Sequence, residues 1–173
     1  MNVLARLRKV KVFVFDIDGV LTDGSVLVVD ENKWLRKMNI KDGYALQLAV
    51  KNGYRILIIS GSDAPPVVER LHKLGITEVF MKVIDKEALL KKYMSDNKLP
   101  RDEVLYMGDD IPDYECMQIA GCACCPADAA AEVRNISSYI SPVKGGHGCV
   151  RDVIEKVMKL NNQWPLHTSV AST

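Results

Sequence analysis

Four short apolar runs recur along the chain, and each is followed by a stretch of helical spacing. They are KVFVFD (11–16), YRILIIS (54–60), EVLYMGD (103–109) and GCACCP (121–126). Each is apolar at consecutive positions, the pattern of strands buried on both faces. Helical spacing covers 43–52, 66–74, 86–97 and 113–120, and a last helix is expected from about Cys149 to Leu160. Pro65-Pro66 suits a helix N-terminus, and the glycines of KNG and KLG suit helix C-termini. Alternation of this kind predicts an α/β, Rossmann-like parallel sheet with helices on both faces. Ligands of such sheets bind beyond the carboxyl ends of the strands.

Those ends carry the polar residues. Asp16 and Asp18 follow the first strand in FVFDIDGVLTDG, Ser60 ends the second, Asp109 and Asp110 end the next, and Lys86 opens a helix between them. Carboxylates are seldom buried without a partner, and neighbours of like charge resist joint ionisation. Such a cluster calls for a cation or is merely a polar turn. The early glycine of DIDG does not suit a calcium loop. Taken singly, SGS is an ordinary strand exit, Lys86 a solvated helix residue, and Asp113 of GDDIPD a helix N-terminal charge. In this order after successive strands they define one candidate site.

At 173 residues the chain suits one domain, over 1–160, with a polar tail over 161–173. A net charge of +1 gives no basis for nucleic-acid or anionic-membrane binding, and no apolar run is long enough to span a bilayer. The basic start MNVLARLRKVKVFVFD interrupts its apolar residues with Arg and Lys and is not followed by a small-residue cleavage site, which argues against a signal peptide. Five cysteines, an odd count without an export signal, suit a reducing cytoplasm. GCACC lacks a second ligand cluster at zinc spacing and suits a core strand.

One insertion breaks the alternation. SVLVVDENKWLRKM (25–38) has two strand-like arms around Asp30-Glu31-Asn32, apolar on both faces, and suits a β-hairpin. A lone hairpin is unstable in water. It either folds back on its own domain or packs against other subunits.

DIDGVLTDG, IISGS, Lys86 and MGDDIPD together resemble the four ordered motifs of the haloacid dehalogenase superfamily of phosphatases. The resemblance covers about Val10 to Val157. NIKDGYAL (39–46) and KGGHGCVRDVIE (144–155) are further similar to the 3-deoxy-D-manno-octulosonate 8-phosphate phosphatases of lipopolysaccharide sugar synthesis. Their near relatives act on nine-carbon, sialic-type sugar acid 9-phosphates.

The resemblance implies that Asp16 is the nucleophile of an aspartyl-phosphate mechanism and that Asp18 is its acid and base. It places Mg2+ on the Asp16 carboxylate, the Asp18 carbonyl and the Asp109 carboxylate. It assigns Ser60, Gly61 and Lys86 to the phosphoryl oxygens, with Asp110 and Asp113 orienting the groups around them. Asn39, Lys41, Asp42 and Gly43 match a backbone-rich loop facing the sugar, and Arg70 a basic residue near its carboxylate. Ser62 and Gln47 stand where relatives commonly have arginines, which removes charge near an anionic substrate. Arg70 also suits a solvated helix face. GGHG is either a flexible turn or a fold over a neighbouring mouth, and the chemistry has no vacancy for His147.

Neither the gap from Asp18 to Ser60 nor that from Lys86 to Asp109 has room for the cap domain of many relatives. The resemblance implies a homotetramer joined through the hairpins, with neighbours covering sites that take a small phosphorylated sugar acid. Two other assignments stay open: a phosphoaspartate signalling domain, and a capless phosphatase of proteins or nucleic-acid ends.

Overall fold

Six parallel strands form the central sheet of the computed structural model, which describes residues 2–31 and 33–165. β1 (Val12–Phe15) lies between β4 (Arg55–Ile59) and β6 (Val104–Met107). β5 (Glu78–Phe80) pairs outside β4, while β7 (Cys122–Cys125) and β8 (Tyr139–Ile140) extend the far side. A separate antiparallel pair, β2 (Leu27–Asp30) and β3 (Lys33–Leu35), is the expected hairpin. The four inner strands match the apolar runs. β5 and β8, three and two residues long, are edge strands that the patterning did not mark.

Alternation along the strands divides the core in two. Phe13 and Phe15 enter one cluster, with Leu7, Leu46, Leu71 and Ile154. These come from α1 (Val3–Lys9), α2 (Ile40–Lys51), α3 (Pro65–Lys73) and α7 (Cys149–Leu160). Val12 and Val14 enter the other, with Leu90, Cys116 and Val133 of α4 (Lys86–Asp96), α5 (Tyr114–Ile119) and α6 (Ala131–Ile136). Side chains of period two on a buried strand require this two-faced covering. All five cysteines are free and buried, and those of GCACC are core residues.

Two expectations are corrected here. α2 starts at Ile40 rather than 43, because Asn39 Oδ1 accepts from the Lys41 N–H at 2.8 Å and caps the helix. The polar tail begins later than 161. Tyr54 donates to Gln163 Oε1 at 2.5 Å, and Trp164 meets Tyr44 edge-on at 6.2 Å beneath the Arg151 guanidinium. The rest of that stretch, 166–173, lies outside the described residues.

Successive strands run outward from β1 through β4 to β5, and then from β6 through β7 to β8 on the other side. The order therefore reverses between β1 and β6, and a crevice opens beyond their carboxyl ends. Among the described residues, the hairpin and α2 occupy the connection from β1 to β4, and no cap domain is inserted. No described helix is long and apolar enough to cross a membrane.

Candidate active site

Asp16 directly follows β1, and its N–H continues the ladder to Met107 O at 3.1 Å. Parallel pairing thus fixes the Asp16 backbone at the mouth of the crevice. Lys86, the first residue of α4, donates to Asp16 Oδ1 and to Asp113 Oδ1, each at 2.8 Å. Tyr106 of β6 also donates to Asp113 Oδ1 at 2.8 Å, and the Asp109 N–H donates to Asp113 Oδ2 at 3.2 Å. Asp113 thereby accepts from three donors, Lys86, Tyr106 and the Asp109 N–H. Asp110 is exposed and accepts from the Ile111 N–H at 2.8 Å.

Carboxylate oxygens of Asp16, Asp109 and Asp113 lie within 4.8 Å of one another. Burial holds the Asp16 carboxyl well above the usual carboxylate range, reinforced by Asp113 and opposed by Lys86. Asp109 is pushed up to about 7 by burial and by Asp113 and Asp16. Burial alone would lower Lys86, but Asp113 and Asp16 more than reverse that, and it stays protonated. Three convergent carboxylates around one ammonium leave negative charge to be matched. A hard divalent cation with oxygen ligands fits this donor set, with Asp16 and Asp109 as the available carboxylates.

The turn after Asp16 depends on Gly19, whose φ is +90°. A Cβ there would fall 2.0 Å from Asp109 Oδ2, so the Asp109 side chain lies where only glycine leaves room. KGGHG packs against this same turn. The Gly146 N–H donates to Val20 O at 2.9 Å, and a Cβ on Gly146, at φ +66°, would meet Asp23 N at 2.3 Å. It packs closely against the turn after β1 of its own chain. His147 is exposed, with Nδ1 2.6 Å from Gly145 O.

Ser60 follows β4 and is 2% exposed. Its Oγ accepts from the Ser62 N–H at 3.2 Å and lies 3.0 Å from Ser62 Oγ. Ser60, Gly61, Asp18, Lys86 and the aspartates share a cavity of about 350 Å3. Asp18, two residues beyond Asp16, is gripped by a residue that patterning did not single out. Arg36 donates through Nε to Asp18 Oδ1 at 2.7 Å and through a terminal nitrogen to Oδ2 at 3.1 Å. A basic residue on a hairpin gives no signal of such a partner in sequence. Tyr106, a strand residue in EVLYMGD, was missed for the same reason.

The expected sugar-facing group is brought together only in part. Asn39 is a helix cap at the rim, its Nδ2 3.5 Å from Gly146 O, and Lys41 is exposed. Asp42 is 2% exposed and turned away: its Oδ1 accepts from the Arg151 N–H at 2.7 Å, capping α7. Its carboxyl is raised to about 6 by burial. The Asp42 side chain thus serves α7, and its Oδ2 is buried without a hydrogen-bond partner among the described residues. Gly43 is buried beneath the Arg70 guanidinium. Arg70 faces a second cavity, about 310 Å3, between α3 and the hairpin, with Trp34, Leu35 and Arg36 on the opposite wall.

A buried carboxylate directly after the central strand, D-x-D spacing, a buried lysine and an acidic cluster after the neighbouring strand form a site of the hydrolase kind on a Rossmann-like sheet. Residues 67–153 match the family model described as haloacid dehalogenase-like hydrolase, and the chain belongs to that family. It is 27% identical to the 3-deoxy-D-manno-octulosonate 8-phosphate phosphatase KdsC of Yersinia pestis over 157 residues, 91% of this chain and 84% of the relative. The structure of the 3-deoxy-D-manno-octulosonate 8-phosphate phosphatase from Moraxella catarrhalis, in complex with magnesium ion, phosphate ion and KDO, superposes with a TM-score of 0.89. Identity to it is 29%, with 93% of each chain covered. The probable YrbI family phosphatase of Pseudomonas syringae gives 31% identity and a TM-score of 0.89, over 93% of this chain and 92% of the other. Family membership sets aside the phosphoaspartate signalling domain.

Proposed function

We propose that the chain is a Mg2+-dependent phosphomonoester hydrolase whose substrate is 3-deoxy-D-manno-octulosonate 8-phosphate, released as the free sugar acid and phosphate. The observation that carries the chemistry is the buried Asp16 carboxylate, 2.8 Å from Lys86 and clustered with Asp109 at the end of β1. The relatives above carry the substrate, together with a cavity large enough for a small phosphate ester and a basic residue, Arg70, in the adjoining one.

Asp16 attacks phosphorus, its oxygen forming a bond as the bond to the sugar oxygen breaks. The Asp18 carboxyl gives its proton to that leaving oxygen. Water then attacks phosphorus of the aspartyl phosphate, passing a proton to the Asp18 carboxylate, and Asp16 is regenerated with phosphate. Lys86 and Ser60 hold the phosphoryl oxygens as charge redistributes, while Asp113 and Tyr106 fix Lys86. The Asp16 and Asp109 carboxylates and the Asp18 carbonyl would hold Mg2+, which when bound would neutralise charge between the carboxylate nucleophile and the phosphate dianion.

The assembly is a homotetramer, and the compartment is the cytoplasm. Leu27, Val28 and Trp34 are 65%, 62% and 56% exposed on the hairpin, an apolar surface that a neighbouring subunit would cover. Neighbours joined there would also close the capless site against water.

The test is phosphate release from a panel of phosphorylated sugar acids in Mg2+. The eight-carbon 8-phosphate should exceed hexose phosphates in kcat/KM. A nine-carbon 9-phosphate hydrolysed as well would remove the eight-carbon assignment while leaving the phosphatase in place.

A further inference from the structure

Arg36 is joined to the site from an unexpected direction. It follows β3 immediately, so the guanidinium on Asp18 is delivered by the projecting hairpin, eighteen residues along the chain. Both carboxylate oxygens are engaged, at 2.7 and 3.1 Å, in the planar fork that arginine makes with carboxylates. The Arg36 side chain is 6% exposed and that of Asp18 31%. The guanidinium is thus fixed by its surroundings, while the carboxylate borders the open crevice. Thr22 Oγ1, at 3.4 Å from Asp18 Oδ1, is too distant to hold it there.

We propose that Arg36 is a positioning residue for phosphoryl transfer: its fork sets the plane and place from which Asp18 serves the leaving oxygen. The inference rests on the phosphatase function proposed above. Arginine stays charged throughout and exchanges no proton itself, so its effect is orientation. The fork seen here holds the ionised carboxylate. For the transfer Asp18 takes up a proton from solvent on one oxygen and keeps a guanidinium bond on the other. As the bond from Asp16 to phosphorus forms and that to the leaving oxygen breaks, this proton passes to that oxygen. An alkoxide needs this proton in order to leave, whereas p-nitrophenolate departs readily without it. A misplaced Asp18 should therefore penalise alkyl esters selectively. Displacement of a catalytic group by about 1 Å is enough to cost on the order of a hundredfold.

The hairpin thereby has two ends with different tasks. Both of its faces are apolar and exposed, at Leu27 on one and at Val28 and Trp34 on the other, and its base carries the clamp on Asp18.

The experiment compares Arg36→Ala, Arg36→Lys and wild type on a simple alkyl phosphate without a carboxylate and on p-nitrophenyl phosphate. It reads kcat/KM, which reports steps up to departure of the alcohol, together with inhibition by inorganic phosphate. Arg36→Ala should lose about 10- to 100-fold more on the alkyl ester than on the aryl ester, with phosphate inhibition unchanged. Arg36→Lys, which keeps the charge but not the fork, should show a smaller loss of the same selectivity. If Arg36→Ala does not fold by circular dichroism, the lysine variant decides alone. Equal losses on both esters would overturn the proposal, as would weakened phosphate inhibition, which would make Arg36 a binder of the phosphoryl group. A wild type that hydrolyses neither ester would refute the phosphatase assignment itself.

Discussion

Lys86 Nζ lies 2.8 Å from Asp16 Oδ1 across seventy residues of sequence, and the two side chains are 7% and 8% exposed. A second carboxylate, Asp113, shares the same ammonium at 2.8 Å. Lys86→Met would leave two buried carboxylates without their cation, a change that costs on the order of 3–5 kcal/mol. Thermal unfolding should show a large loss of stability, partly recovered by Mg2+, while phosphate release stays abolished. Wild-type turnover in this variant would remove Lys86 from the mechanism.

Gly19 and Asp109 make a tighter demand. Gly19→Ala combines an unfavourable positive φ with a Cβ only 2.0 Å from Asp109 Oδ2. The strain amounts to about 1–3 kcal/mol, and Asp109 must move to relieve the overlap. Both stability to urea and apparent Mg2+ affinity should fall. Unchanged Mg2+ dependence of activity would mean that Asp109 does not need its observed position.

The raised carboxyls of Asp16 and Asp109 set a pH dependence. In the metal-free fold these groups hold protons that unfolded carboxyls release near 3.8, and Asp109 releases its proton only at about 7. Their contribution to stability is therefore present in full below the unfolded value and is lost as pH rises through about 7. A cation that binds the ionised forms offsets this loss. The rise in Tm on adding Mg2+ should be larger at pH 8 than at pH 5.5, and excess EDTA should abolish activity reversibly. An equal rise at both pH values would place Mg2+ away from these carboxylates.

The inner half of the fold was legible in the sequence because strands buried on both faces leave continuous apolar runs, as at 11–16 and 54–60. β5 and β8 are too short, and too exposed on one side, to leave such a run. Asp16, Ser60, Lys86 and Asp109 could be found because each stands at a strand end or helix start. Arg36 could not, since its partner is set by how the hairpin folds back onto the turn after β1. The inward turn of the Asp42 side chain was illegible for the opposite reason. A polar residue at a helix start looks solvent-facing, and only packing of α2 against α7 turns it inward to cap Arg151.

The hairpin surface predicts assembly. Leu27→Asp with Val29→Asp should give smaller species by light scattering and lower kcat/KM on small sugar phosphates, because buried unpaired charges are costly at an interface. A wild type that is monomeric at assay concentration would contradict both the proposed tetramer and the closure proposed with it.

Arg70 lies against Gly43 and lines the second cavity, and its proposed role is to hold the sugar carboxylate. Arg70→Ala should reduce kcat/KM for the sugar acid phosphate about ten- to hundredfold, equivalent to about 1.5–3 kcal/mol for a charge-assisted hydrogen bond. p-Nitrophenyl phosphate, which has no such carboxylate, should be nearly unaffected. Equal losses on both substrates would make Arg70 structural.

The central claim is that Asp16 performs the displacement, and the most direct measurement is phosphate release by wild type and by Asp16→Asn under identical Mg2+ and substrate. The substitution keeps the side chain's shape, so circular dichroism should show the same fold. Wild type should turn over repeatedly, and the variant should be slower by at least about a thousandfold, because no other group can replace the attacking carboxylate. Turnover by Asp16→Asn close to that of wild type would contradict the covalent mechanism and the site assignment built on it.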